Sequence, residues 1–268
     1  MSEYKIGFIG AGNMGSAMME GILCAGLCEK NEMIASCHSH GTKERVEKKL
    51  GIRVTLDNRE ASSAKIVFLA VKPYQLADVV EDIKGSLKED TLVISVVAGK
   101  TLLQLGQMLG SGMHIVRSMP NTPAMVGAAM SAICTNDHVT EEEKEEAKVL
   151  FESFGQAEVV REDLMDVVTG VSGSSPAFIY MVIEAMADAA VAEGMQRKAA
   201  YKFAAQTVLG SAKMVLETGK HPGELKDAVT SPGGTTIEGV AALEANGLRA
   251  TMMAGVRAAV QKSRDMSK

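Results

Sequence analysis

Up to residue 160 the chain alternates short apolar runs with stretches of mixed polarity, the runs being "YKIGFIG", "EMIAS", "KIVFLAV", "TLVISVV", "HIVRSM" and "AEVV". Runs of this length, each followed by an amphipathic stretch, predict parallel strands joined by crossover helices, a sheet covered on both faces. Thr140 stands three residues before Glu143, a capping-box spacing, and acids crowd the turn that follows. That pattern predicts a helix over 140–154 whose charged face is solvated, and no function attaches to it. Beyond residue 163 the strand rhythm stops. Helical spacing predicts helices over 176–193, 197–217, 235–246 and 248–266, separated by Gly194, by "TGKHPGEL", by an SPGG loop and by Gly247. Ser175 is expected to cap the first of these, with Pro176 at its first helical position. The helices are rich in Ala, Met and Val and leave little polar face for solvent, which predicts packing against a second chain; a single large core is the alternative. The expected division is an α/β domain over 1–162 and an all-α domain over 163–268.

Composition narrows the partners. A chain of 268 residues that is 46% hydrophobic can build one large or two ordinary cores. The net charge of -5 comes from interspersed charges and only 4% of residues are aromatic. Neither a basic groove for phosphates nor a stacking platform for bases is expected, so nucleic acid is not an expected partner. No apolar run is expected to approach the roughly 20 residues that cross a bilayer. "MSEYKIGFIG" leads straight into a strand, and a cytoplasmic location without membrane contact is expected. Cys24, Cys28, Cys37 and Cys134 have no His or acidic partners at ligand spacing, so buried or idle thiols are expected and no metal.

The candidate chemistry starts at the first strand. "KIGFIGAGNMGSAMMEGIL" is a strand, then Gly10-Ala11-Gly12-Asn13-Met14-Gly15, then a helix. In that context Gly10 permits the tight turn, Gly12 lets backbone approach a pyrophosphate, and Gly15 lets helix and strand pack closely. A plain tight turn is the alternative. A chain that prefers NAD ends its second strand in Asp or Glu. Here the strand runs into Ser36, Cys37 and His38, with Lys43 and Arg45 in the next helix. Hydroxyl, imidazole and cations accommodate a 2′-phosphate that an acid would repel, so NADPH is the expected cofactor, with NADH possible. The alternative is a solvated loop.

A second signal lies in the helical half, where "DAVTSPGGTT" interrupts the helices. Pro232, Gly233 and Gly234 stop one helix, and Thr235 and Thr236 look like the opening turn of the next. Such a turn offers unpaired backbone N–H groups and the positive end of a helix dipole to an anion. An ordinary helix-to-helix turn is the alternative.

Taken together, "GFIGAGNMG", "FLAVKP", "SVVAGKT", "VRSMPNTPA", "SGSSPAF" and "DAVTSPGGTT" resemble, in order and over almost the whole chain, the pyrroline-5-carboxylate reductases. The resemblance implies an N-terminal Rossmann domain, a helical C-terminal domain that interlocks with its counterpart in a homodimer, and in many relatives a larger ring of dimers. It implies NAD(P)H-dependent reduction of L-1-pyrroline-5-carboxylate to L-proline, the last step of proline biosynthesis. Carried onto this chain, it implies cofactor contacts at Phe8, Ile9, Gly10, Ala11, Gly12, Asn13 and Met14. Others fall on Ser36 and His38, on Asn58, on Ala70, Val71, Lys72 and Pro73, and on Val96, Val97 and Ala98. Met119, Pro120 and Asn121 would lie beside the nicotinamide. Substrate would meet Ser231, Gly233, Gly234, Thr235 and Thr236. Two departures stand out: many relatives carry Arg where this chain has His38, and Ser175 and Phe178 replace common Gly and Tyr.

The chemistry of such a substrate suits the loop. Its carboxylate matches the amides of Gly233, Gly234 and Thr235. A protonated imine is already electrophilic, so positioning supplies much of the rate, and Thr236 is the candidate hydroxyl at the ring nitrogen. A 3-hydroxy acid dehydrogenase is a rival reading. It needs a proton donor for the alkoxide, usually a Lys on the first long helix of the second domain, and 172–197 contains no Lys or His. A non-catalytic NADP-binding sensor or scaffold is a third reading, and it would have no use for an anion loop.

Overall fold

The computed structural model describes residues 4–266. Eight strands form one sheet: β1 (Ile6–Ile9), β2 (Met33–Ser36), β3 (Arg53–Thr55), β4 (Ile66–Leu69), β5 (Leu92–Ser95), β6 (His114–Met119), β7 (Ala129–Thr135) and β8 (Gly155–Val159). Their order is β3-β2-β1-β4-β5-β6-β7-β8, and β1 to β6 are parallel. The first six strands thus have the dinucleotide-binding order, which reverses direction between β1 and β4. Helices α1 (Asn13–Cys24), α2 (His40–Leu50), α3 (Asn58–Ser62), α4 (Leu76–Ile83), α5 (Leu102–Leu109) and α6 (Glu141–Glu152) cover both faces.

Every residue of β1, β2, β4 and β5 is buried, which is why these strands read as continuous apolar runs. On one face Phe8 stacks on Phe68 at 4.4 Å between centroids, and Phe151 and Phe154 continue the cluster edge-on. On the other face Leu76, Val80 and Ile83 of α4 and Leu105 and Leu109 of α5 pack against Ile9, Val67 and Val93. The capping box of α6 is formed as its spacing predicts: Thr140 Oγ1 accepts from the Glu143 N–H at 3.2 Å, and the Thr140 N–H donates to Glu143 Oε2 at 2.8 Å.

Two strands escape the sequence pattern. β3 is only three residues long, and β7 mixes small residues with Ser and Thr. β7 also corrects the expectation of an all-parallel sheet, because it runs antiparallel to β6, with β8 parallel to it. The chain from Met119 to Ala129 is too short for a parallel crossover, which needs a dozen or more residues.

The chain divides into two compact units, 1–173 with 259–268, and 174–258. The helical stretch that leaves the first unit comprises α7 (Met165–Val168), a π-turn (Thr169–Ser174) and α8 (Ser175–Ala192). Ser175 is therefore inside a continuing helix and not its cap, because the π-turn carries the backbone through Gly170 and Gly173 without a break. The helices that follow are α9 (Arg197–Thr218), α10 (Pro222–Ala228), α11 (Thr235–Ala245) and α12 (Leu248–Met266). α10 lies inside the stretch expected to be a separator; Pro222 opens it, and His221 Nδ1 accepts from the Gly223 N–H at 3.0 Å. α8 and α9 pack on each other, linked through Gly194 at φ 95°. The last turns of α12 belong to the first unit, where Ser263 Oγ meets Asp166 Oδ1 at 2.6 Å.

The second unit has almost no interior of its own. Ala187 is the one buried residue of α8, α10 and α11 have none, and Phe203 and Leu216 are 66% and 81% exposed. Against the expectation that no apolar run is long enough, the 31 residues of Glu162–Ala192 form a helix long and apolar enough to cross a membrane by length and composition, because Gly, Ser and Thr at its start do not break the helix. An apolar surface of this extent calls for a partner.

Candidate functional site

Strand register sets out the candidate cofactor residues along one edge of the sheet. Ile9 pairs with Ser36 and with Leu69, and Leu69 pairs with Ser95, so β2, β1, β4 and β5 end level. Backbone bonds carry that alignment into the loops: Gly10 N–H to Ser36 carbonyl at 3.1 Å, Ala70 N–H to Ile9 carbonyl at 2.8 Å, Val96 N–H to Leu69 carbonyl at 3.1 Å. Gly10, Ala70 and Val96 are thus the first residues past the carboxyl ends of three adjacent strands. A ligand binds at this edge of an open α/β sheet, where strand order reverses.

The three motif glycines have different physical reasons. Gly10 has φ 106°, and a Cβ there would lie 2.4 Å from the Ala70 carbonyl oxygen. A Cβ on Gly15 would lie 2.2 Å from the Gly10 carbonyl oxygen, so helix and loop touch at that point. A Cβ on Gly12 would meet nothing within 4 Å. Gly12 is also the N-cap of α1 and contributes no side chain to cover the first amides. The space over the helix start and its free donors fit a pyrophosphate. Phe8 and Ile9 are fully packed into the two cores, so only their main chain faces the edge. Ala11 is buried; Asn13 is exposed and Met14 half-buried at the start of α1.

The end of β2 fits an adenosine ribose carrying a 2′-phosphate. Ser36 Oγ donates to Asn58 Oδ1 at 2.7 Å, joining two candidates 22 residues apart. No acid ends the strand: Cys37 is buried, and His38 and Ser39 are exposed. Lys43 is shared with Glu47 at 3.8 Å, whereas the Arg45 guanidinium donates to the Ala11 carbonyl at 3.2 Å and so sits against the glycine loop. Only the fold reveals that placement of Arg45. Past β4, Ala70 and Val71 are half-buried, Lys72 is exposed, and Pro73 starts a short 3-10 turn. Past β5, Val97 is buried while Val96 and Ala98 are half-exposed. Past β6, Met119 is half-buried, and Pro120 and Asn121 are buried.

In the second unit, Gly233 takes φ 66° and the Gly234 N–H closes a turn onto the Ser231 carbonyl at 3.1 Å. A Cβ on Gly234 would strike Ser231 Oγ at 2.4 Å. Gly234 caps α11 without a side chain, so the amides of its first turn are left for a ligand. Ser231, Gly233, Thr235 and Thr236 are exposed and Gly234 half-exposed.

Thiol chemistry finds no footing at Cys28, Cys37 or Cys134. Burial pushes the Cys134 thiol up to about 12 against the neighbouring Arg117, and the Cys28 thiol up to about 11; burial also raises Cys37. These thiols stay protonated and are poor nucleophiles. Among the described residues no three His, Cys, Asp or Glu side chains group as a metal site. A cleft of about 550 Å³ is lined by Lys5, Leu27, Val149, Leu150 and the α6 acids Glu141, Glu142, Glu145 and Glu146. It lies where the chain enters β1, away from the carboxyl edge, and its acids would repel a phosphate.

Known proteins share this fold. Residues 162–266 match the family described as pyrroline-5-carboxylate reductase dimerisation, and residues 5–99 match that described as NADP oxidoreductase, coenzyme F420-dependent. Pyrroline-5-carboxylate reductase of Methanosarcina acetivorans is 49% identical, with 100% of each chain covered. The Escherichia coli protein of that name is 48% identical, with 99% of each covered. A crystal structure of Plasmodium falciparum pyrroline carboxylate reductase with NADP bound superposes with a TM-score of 0.90 at 34% identity, covering 100% of both chains.

Proposed function

We propose that this chain, which belongs to the pyrroline-5-carboxylate reductase family, reduces L-1-pyrroline-5-carboxylate to L-proline with NADPH, the last step of proline biosynthesis. The observation that carries this reading is the pairing, in one chain, of a dinucleotide loop opening onto free helix amides with an uncapped Ser231–Thr236 turn suited to a carboxylate. The relative from Plasmodium falciparum binds NADP. The cofactor supplies the hydride. This chain's residues bind and orient: the Gly10 to Met14 loop holds the pyrophosphate, Ser36, His38 and Asn58 the adenosine ribose. Ala70 to Pro73, Val96 to Ala98 and Met119 to Asn121 line the way to the nicotinamide. The amides at Gly233 to Thr235 hold the substrate carboxylate, and the Thr236 hydroxyl hydrogen-bonds the imine nitrogen. Residues 1–162 serve the cofactor, and 163–268 serve substrate and assembly. α8 offers no Lys or His, so a 3-hydroxy acid dehydrogenase would lack its proton donor. The direct test follows NADPH oxidation on addition of the cyclic imine; no oxidation above the rate without imine would reject the reading.

The absent acid at the end of β2 favours a phosphorylated ribose. NADPH should bind about 10 to 150 times more tightly than NADH, the value of one hydrogen bond to a charged group at about 1.5 to 3 kcal/mol. Equal dissociation constants for the two, from fluorescence titration, would remove NADPH as the preferred cofactor.

Assembly belongs to the same proposal. The uncovered helices of the second unit are placed against a second copy, in a homodimer that can build a larger ring, in a cytoplasmic protein. Light scattering should report at least twice 28.3 kDa at micromolar concentration, and a single species of 28.3 kDa would reject the dimer. Ala189→Asp, on the exposed surface of α8, would put an unpaired charge into the contact and should shift the protein toward monomer or aggregate.

A further inference from the structure

We propose that Asn121 is a positioning residue: its side-chain amide replaces the helix N–H that Pro176 lacks, and so locks the loop after β6 to the π-turn before α8. Asn121 is buried, and both ends of its amide are in use inside the protein. Nδ2 donates to the Ser172 carbonyl at 3.0 Å, and Oδ1 accepts from the Met130 N–H at 3.0 Å. Those partners, one acceptor and one donor, admit a single orientation of the amide.

The need for this bond follows from the sequence of the turn. In a helix the carbonyl of Ser172 would accept from the N–H four residues on. That residue is Pro176, which has no N–H and whose ring crowds that carbonyl. The backbone widens there into the π-turn Thr169–Ser174, immediately before the proline. Two hydroxyls of the turn are engaged elsewhere: Thr169 Oγ1 donates to the Met165 carbonyl at 3.0 Å and Ser172 Oγ to the Val168 carbonyl at 3.1 Å. Asn121, 51 residues away in sequence, supplies the donor.

A second contact runs alongside. A Cβ on Gly173 would lie 3.0 Å from Met119 Cε, so the π-turn rests closely on the same loop. Met119 and Asn121 flank Pro120 and are thereby held as one piece with 169–174. This rests on the reading of the chain as an imine reductase, in which that loop lies beside the nicotinamide. Hydride transfer depends steeply on geometry, so a loosened loop slows chemistry while leaving the pyrophosphate and adenosine contacts intact.

The test uses Asn121→Asp, which keeps an acceptor for Met130 and loses the donor to Ser172. Turnover should fall about tenfold or more, the NADPH dissociation constant should stay within about twofold, and the isotope effect with 4-deuterated NADPH should rise. Pro176→Ala returns an N–H to the helix. In that background the loss caused by Asn121→Asp should shrink by at least about threefold, a coupling that a purely structural role would not show. A dissociation constant raised tenfold at unchanged turnover would make the Asn121 side-chain amide, and not only the loop's main chain, a cofactor contact and overturn the proposal. An equal loss with and without Pro176→Ala would also overturn it. Should Asn121→Asp fail to fold, Gly173→Val strains the same contact from the other side. It should lower turnover at constant NADPH affinity, and the reverse split would overturn the proposal. If the wild-type protein shows no imine reduction, the functional reading falls, and hydrogen exchange still judges the tether. Amides between residues 173 and 178 should lose protection in Asn121→Asp, and unchanged protection would overturn it.

Discussion

Gly12→Ala should weaken NADPH binding about 100-fold while the protein without cofactor melts within about 2 °C of the wild type. The backbone at Gly12, φ -72° and ψ -167°, is open to any residue, and the added methyl would meet no protein atom within 4 Å. Nothing in the protein itself therefore opposes alanine there. The methyl would occupy the space over the start of α1 in which the pyrophosphate is placed. A clash of that kind costs about 1 to 3 kcal/mol, and about 1.4 kcal/mol is a factor of ten in affinity. Gly15→Ala tests the opposite case, because its methyl would sit 2.2 Å from the Gly10 carbonyl oxygen. About 3 kcal/mol of strain corresponds to a fall of about 6 to 12 °C in a chain of this size. A melting scan with and without saturating NADPH separates the two: Gly15→Ala starts lower, whereas Gly12→Ala starts level and loses the cofactor-dependent rise. Wild-type affinity in Gly12→Ala would move the pyrophosphate away from α1.

Thr236→Ala should lower turnover about 10 to 150-fold with little change in NADPH affinity, since a hydrogen bond to a charged group is worth about 1.5 to 3 kcal/mol. Three observations converge on this residue. It is exposed in the first turn of α11, immediately after a turn whose amides no side chain caps. In the five-membered ring of the substrate the nitrogen is close to the carboxylate, so a group beside the anion-binding amides is also beside the nitrogen. No Lys or His on α8 is available to take the role. Thr236→Ser keeps the hydroxyl and should retain much more activity. Equal turnover of wild type and Thr236→Ala at saturating NADPH would leave the loop with carboxylate binding alone.

Much of this architecture is legible in the amino-acid sequence. The alternation of apolar runs predicts the sheet, and its buried strands are those runs. Helices expected over 197–217, 235–246 and 248–266 are observed as Arg197–Thr218, Thr235–Ala245 and Leu248–Met266. The Thr140 and Glu143 capping box forms as its spacing predicts. These are local matters. A helix is decided by contacts three and four residues apart, a cap by three, and Gly15 by the Gly10 carbonyl five residues before it.

What the local pattern does not carry is the choice of partners far along the chain. β7 pairs antiparallel with β6 because the connection is short, yet Ser131 and small Ala residues interrupt its apolar Met, Ile and Cys, so it does not stand out as an apolar run. Ser175 looks like a cap because Ser-Pro usually opens a helix. The π-turn that overrides it is stabilised by Asn121, 51 residues before Ser172. Arg45 could face solvent anywhere on α2; packing against α1 brings it to the Ala11 carbonyl, 34 residues away. Sequence by itself thus determined the buried parallel strands, the long helices, the glycine loop and the SPGG turn, whereas β3, β7, α10 and the π-turn left no such pattern. Tertiary structure alone decided which polar groups far apart in the chain meet, because a buried donor or acceptor takes whichever partner the fold brings within about 3 Å.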